Sequence, residues 1–118
     1  ILAAGKGTRA GGDVSKQLTE INGIPVAVRT IIKFQNCNII DDIIIVAAEN
    51  ELGFYDEYIK KYDLSKVGKI IAGGSSRAES AKNGFYSVDK STKFVVIHDG
   101  ARCAITEEQI EKSQVVVR

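Results

Sequence analysis

Apolar and polar positions along the 118-residue chain follow two periods, and the switches between them mark the elements. Ile1 to Ala4 is apolar and stops at Gly5, as the end of a buried strand does. Four of the eleven glycines fall between Gly5 and Gly12, so this stretch reads as a loop. Pro25 stands where a helix can begin, and Val28, Ile31, Ile32 and Gln35 follow at helical spacing. Ile43-Ile44-Ile45-Val46 is β-branched and unbroken, which predicts a strand covered on both faces. Leu52, Tyr55, Ile59 and Tyr62 draw one face of a helix. Lys69-Ile70-Ile71 predicts a short strand ended by Gly73-Gly74. Ser76 to Glu79 fits a capping box, with Ala78, Ala81, Phe85 and Val88 as the helical stripe behind it. Phe94 to Ile97 predicts another buried strand, ended by His98-Asp99-Gly100. A second capping box, Thr106 to Gln109, opens a helix that is short before a last strand at Val115.

Strands and helices therefore alternate. That order, with β-branched strands and no polar strand face, predicts an α/β fold: a three-layer, Rossmann-like, mostly parallel sheet with helices on both faces. Ligands of such sheets sit at the carboxyl ends of the strands. Three segments lie at those ends: Gly5 to Lys16, Gly73 to Ser80 and His98 to Arg102. Their convergence is the strongest clue to a site.

Composition narrows the function classes. Residues 1–118 read as one domain with 44% hydrophobic and 26% charged residues, enough to bury a core and too ordered in pattern for a disordered tail. A net charge of +1 argues against a protein built to grip nucleic acid. No apolar run approaches the roughly 18 residues a membrane span needs, and no signal peptide is visible. Cys37 and Cys103 suggest neither a disulfide scaffold nor a zinc site, so the expected compartment is the cytoplasm. The chain contains no Met, begins inside an apolar run and ends on a strand. We expect a domain incomplete at both ends.

Gly5-Lys6-Gly7-Thr8-Arg9-Ala10 fits the glycine pattern of dinucleotide folds, and an NAD(P)-binding oxidoreductase domain is one reading. Two features oppose it. The loop runs on through Gly11-Gly12-Asp13 instead of opening a helix beneath a pyrophosphate, and the acidic residue expected about 20 residues on is missing, Glu49 coming much later. What remains is a loop of bare amides with Lys6, Arg9 and Lys16, suited to phosphate oxygens or equally to a solvated surface turn. Asp99 ends an apolar strand, where a carboxylate either holds Mg²⁺ against phosphates or caps a turn. Arg102 binds a substrate phosphate or pairs with a neighbour, and Arg77 bonds the glycine loop or is solvated. His98 reads as structural. Ser76 reads as a helix cap; Ser80 lies inside the helix, where capping does not apply, and reads as a ligand contact.

Three groups of residues together resemble a known family. Leu2 to Arg9 followed by Lys16-Gln17-Leu18 and Gly23-Ile24-Pro25-Val26 resembles the first motif of nucleotidyltransferases that make activated sugars and polyols. Lys-Gln at 16–17 is similar to the cytidylyltransferases of polyol phosphates; Gly73 to Ser80 resembles their GGxxRxxS motif, and His98 to Arg102 their HDxAR motif. The branch acting on methylerythritol phosphate, in non-mevalonate isoprenoid synthesis, resembles the chain most, and the ribitol-phosphate branch is its neighbour. Ser15 stands where the family usually has Pro, Ala10 where Met is common, Gly100 where Ala is common in the methylerythritol enzymes, and Cys103 where Pro is usual.

The resemblance implies a reaction that joins CTP to a polyol phosphate and releases pyrophosphate. It implies Arg9 and Lys16 as catalytic cations, and Ala3, Ala4, Gly5, Lys6, Gly7, Gly74, Ser75 and Ser80 as nucleotide-binding residues. Asp99 and Arg102 would bind substrate, with Asp99 also holding Mg²⁺. It also implies a homodimer built by an arm in the family's second half. The acceptor phosphate is an anion at neutral pH, its second pKa being about 6, so no general base is needed.

Overall fold

The computed structural model describes residues 1–4 and 15–116. Its centre is a parallel sheet in the order β5-β4-β1, with β1 at Leu2–Ala3, β4 at Ile43–Ala47 and β5 at Val67–Ala72. β1 pairs with β4 through Leu2↔Val46 and Ala3↔Ala47. On its other side Leu2 forms a parallel bridge with Asp99: the Leu2 amide donates to His98 O at 2.8 Å, and the Gly100 amide donates to Leu2 O at 2.8 Å. The chain thus moves outward from β1 to β4 to β5, then returns across β1. Its two neighbours leave β1 at the switch point where such sheets bind ligands.

The short hairpin of β2 (Glu20–Ile21) and β3 (Ile24–Pro25) turns through Asn22 and Gly23, both at positive φ, and delivers Pro25 as the residue before helix α1 (Val26–Gln35). Proline fits there because the first helical turn leaves its amides unpaired in any case. Helices α2 (Leu52–Lys61), α3 (Arg77–Tyr86) and α4 (Glu107–Lys112) follow where the periods predicted them. α4 carries the full capping box: Thr106 Oγ1 accepts from the Gln109 amide, and Gln109 Oε1 accepts from the Thr106 amide. α3 carries half of one. Ser76 Oγ accepts from the Glu79 amide at 3.1 Å, but the Glu79 carboxylate is taken by Ser75 Oγ at 3.2 Å.

Successive strand residues face opposite ways, so the sheet has two distinct faces. Ala3, Ile43, Ile45 and Ala47 join Ala27, Ile31 and Phe34 of α1, Tyr55 of α2 and Ile110 of α4 in one buried cluster. The other face meets α3, where a Cβ on Gly84 would stand 3.0 Å from Val46 Cγ2. Beside α3 lies an apolar hollow of about 530 Å³, bordered by Phe85, Phe94 and Ile97.

Here two expectations give way. The run Phe94 to Ile97 is not a buried strand: only β6 (Phe94–Val95) is paired, antiparallel to β7 (Val115–Val116), and Phe94 is 52% and Ile97 45% exposed. In the α3 stripe Ala78 and Phe85 are exposed, and only Ser80 of that helix is buried. An apolar run reports what a strand or helix prefers to have against it, and α3 alone is too narrow to cover this face. No helix among the described residues is long and apolar enough to cross a membrane.

Candidate active site

The carboxyl end of β1 is packed by small residues. A Cβ at Gly73 would meet Ala4 Cβ at 2.3 Å and Ser80 Oγ at 2.6 Å, and one at Gly100 would stand 3.2 Å from Ala3 Cβ. Glycine at these positions lets three backbone segments approach closely enough to share one cleft. The Gly73 amide donates to Ala47 O at 2.8 Å, which extends the β4 register into the following turn.

Ser80 is 4% exposed, and its Oγ accepts from the Gly74 amide at 3.0 Å. The hydroxyl therefore holds the turn between β5 and α3, and it retains its own proton to donate. Beside it opens a cleft of about 190 Å³ whose lining includes Ala4, Gln17, Gly74, Ser75, Ser80 and Asp99, with Arg77 at an exposed position. That space suits one end of a small ligand rather than a whole dinucleotide, since whole-ligand pockets run to about 300–1,000 Å³.

Asp99 is half-buried, and its Oδ1 accepts from the Ala101 amide at 2.9 Å, closing a turn. Its second oxygen has no protein partner among the described residues and is open to a ligand. The turn is fixed from behind. Thr30 of α1, fully buried, donates from Oγ1 to Gly100 O at 2.7 Å. His98 lies with Nε2 2.9 Å from Arg102 O and its ring 5.2 Å from that of Phe34, a structural placement. Arg102 itself is exposed and outside the cleft lining.

Lys16 opens a 3-10 turn (Lys16–Leu18) and is exposed beside the cleft residue Gln17. Ala3 is fully buried beneath the cleft and Ala4 lines it. Thus Ala3, Ala4, Gly74, Ser75, Ser80 and Asp99 come together, Lys16 adjoins them, and Arg102 stands apart. Gly5, Lys6, Gly7 and Arg9 lie outside the described residues.

Three contributors escaped the sequence reading. Gln17, 6% exposed, has a buried Oε1 without a hydrogen-bond partner among the described residues. Thr30 is a lone polar residue on an apolar helix face, and that oddity was its signal. Glu51, 3% exposed, accepts from the Ser15 amide at 2.7 Å and from Ser15 Oγ at 2.8 Å, and nothing in its neighbourhood along the chain announces this. Both its oxygens accept from Ser15, while Glu49, the acidic residue weighed for a ribose diol, is exposed in the turn Glu49–Glu51. Burial, reinforced by Glu51, pushes the Tyr55 hydroxyl well above the usual phenol range.

A parallel sheet with a polar cleft at the switch beside β1 is the plan of a ligand-binding α/β protein. The solved structure of 4-diphosphocytidyl-2C-methyl-D-erythritol synthase from Anaerococcus prevotii DSM 20548 superposes with a TM-score of 0.78 at 27% identity, over 94% of this chain and 45% of that one. The fold is therefore of the nucleotidyltransferase type. The family model for IspD, 2-C-methyl-D-erythritol 4-phosphate cytidylyltransferase, matches residues 1–117, and the chain belongs to that family. Relatives bearing that name include one from Clostridium acetobutylicum, 46% identical over 94% of this chain and 48% of its own length. Another, from Alkaliphilus metalliredigens, is 41% identical over 96% and 47%. The chain spans about half the length of the curated relatives it matches.

Proposed function

We propose that the protein transfers the cytidylyl group of CTP to 2-C-methyl-D-erythritol 4-phosphate. An oxygen of the acceptor phosphate attacks the α-phosphorus, the bond from that phosphorus to the bridging oxygen breaks, and pyrophosphate leaves. The observation that carries this reading is the cleft at the end of β1, where Ala4, Gly74, Ser75, Ser80 and Asp99 converge. Such a cleft of small residues, backbone amides and serine hydroxyls admits a pyrimidine and refuses a purine by size.

The chemical difficulty is charge. An anionic acceptor must approach a polyanionic triphosphate, so catalysis consists of positioning and cationic stabilisation. Lys16, exposed at the cleft edge, and Arg9 supply the cations, and the amides from Ala4 to Gly7, with Lys6, hold the triphosphate. Arg102 attracts the acceptor phosphate from outside the cleft. The open oxygen of Asp99 fits Mg²⁺, which binds through one or two carboxylates plus phosphate oxygens; when bound it neutralises phosphate charge. A homodimer, which rests on the resemblance alone, and a cytoplasmic compartment, which rests on the cysteine usage, complete the reading.

Pyrophosphate release with CTP and Mg²⁺ tests it, with methylerythritol 4-phosphate and ribitol phosphate in parallel. Turnover of the first alone supports the proposal, and turnover of the second alone moves the protein to the ribitol branch. Lys16→Ala should lower the rate on the order of 10²–10³-fold. A rate left intact by that change removes Lys16 from the mechanism.

A further inference from the structure

We infer that Glu51 is a positioning residue for Lys16, acting through Ser15. The inference rests on the catalytic reading of Lys16. Glu51 and Ser15 are 3% and 5% exposed, and two hydrogen bonds of 2.7 and 2.8 Å join both carboxylate oxygens to the amide and hydroxyl of one residue. Ser15 immediately precedes Lys16, and its carbonyl accepts from the Leu18 amide at 3.0 Å to close the turn that carries the lysine.

The use of the Ser15 hydroxyl is what separates a clamp from an ordinary cap. A serine before a helical turn normally accepts from an amide of that turn. Ser15 makes no such bond; it donates its proton to Glu51 instead. Glu51 in turn is fixed at the amino end of α2, where the helix dipole favours a carboxylate, and α2 is anchored by the fully buried Tyr55. Among the described residues no cation pairs with Glu51, and its hydrogen-bond partners among them are the two donors of Ser15. A buried carboxylate tolerates little displacement of the donors that satisfy it. The lysine's starting point is thereby tied to the core.

Ser15 has φ −69° and ψ 162°, and the φ is one proline imposes by itself, near −65°. A ring closure at this position and a carboxylate clamp are two routes to one backbone geometry. Exchanging them is the test.

Glu51→Ala should lower kcat for pyrophosphate release about ten- to a hundredfold, with KM for CTP changed much less, because misplacing a reacting group by about 1 Å costs that much. Glu51→Gln should recover most of the loss, since its carbonyl accepts the Ser15 amide and the hydroxyl can turn to accept its amide protons. Ser15→Pro combined with Glu51→Ala should raise kcat above that of Glu51→Ala alone. Amide exchange at residues 15–18 should speed up in Glu51→Ala. If Glu51→Ala fails to fold, Ser15→Ala, which keeps one of the two bonds, must show a smaller fall in kcat.

Wild-type kcat in Glu51→Ala or, failing that variant, in Ser15→Ala overturns the inference, whatever happens to exchange. So does a loss that Glu51→Gln and the proline exchange both fail to repair. An intact rate in Lys16→Ala is a different failure: it removes the catalytic reading of the lysine, while exchange at residues 15–18 still decides whether Glu51 holds the turn.

Discussion

The two faces of the central sheet are built from the same residue types and end in different states. On one, α1, α2 and α4 close over Ala3, Ile43, Ile45 and Ala47, and Ile31, Ile45 and Tyr55 are fully buried. On the other, α3 lies alone against Val46, while Phe85, Phe94 and Ile97 stay 40–52% exposed around a hollow of about 530 Å³. Stability should therefore reside in the first face. The cleft sits where both meet, at the end of β1, so its shape depends on close contacts more than on the open face.

The largest expected effect breaks that comparison directly. Ile31→Ala or Ile45→Ala removes a fully buried side chain and should cost about 2–5 kcal/mol in denaturant unfolding. Phe85→Ala, on the open face, should cost only about 1–2 kcal/mol, because the ring is already part-exposed. Equal losses from both would mean that the open face is closed in solution.

Glycines sharpen the contrast at the next scale. Gly73→Ala drives a Cβ to 2.3 Å from Ala4 Cβ and 2.6 Å from Ser80 Oγ, so one of the segments forming the cleft must move. Overpacking of this kind should cost about 1–3 kcal/mol and reduce nucleotide binding in titration. A Cβ at Gly53, inside α2, would meet nothing within 4 Å. Gly53→Ala should raise stability by about 0.8–1 kcal/mol through helix propensity alone. A stabilised Gly73→Ala would show that the approach of β1 to the turn after β5 is looser than the contacts require.

What the sequence disclosed follows the same division. The four unbroken β-branched residues from Ile43 announced β4 because a doubly covered strand needs no polar face, and the glycine-ended strands located the cleft because ligand sites gather at carboxyl ends. The exposure of Phe94 to Ile97 was not legible, because periodicity names the residues that prefer cover and is silent on what supplies it. Ser80 was legible as an odd hydroxyl inside a helix, though its acceptor role toward the Gly74 amide was not. Glu51 was hidden by distance: its partner lies 36 residues away in the chain, and no local spacing encodes such a pair.

The smallest expected effect concerns Tyr55, on the closed face. Its ring is fully buried and its hydroxyl has no hydrogen-bond partner among the described residues, while burial first and Glu51 second raise its pKa far above the usual value near 10. The folded state therefore keeps a proton that the unfolded chain loses. The contribution is whole below about pH 10 and declines above it by about 1.4 kcal/mol per pH unit. Tyr55→Phe should flatten this alkaline decline and leave stability at neutral pH unchanged or raised by up to about 1 kcal/mol, because it deletes a buried polar atom that gains nothing from its surroundings. Phe85→Ala on the open face should leave the decline in place. If Tyr55→Phe instead lowers neutral stability by about 1 kcal/mol or more, the hydroxyl has a bound water or another partner, and the closed face holds a polar contact that its packing alone does not reveal.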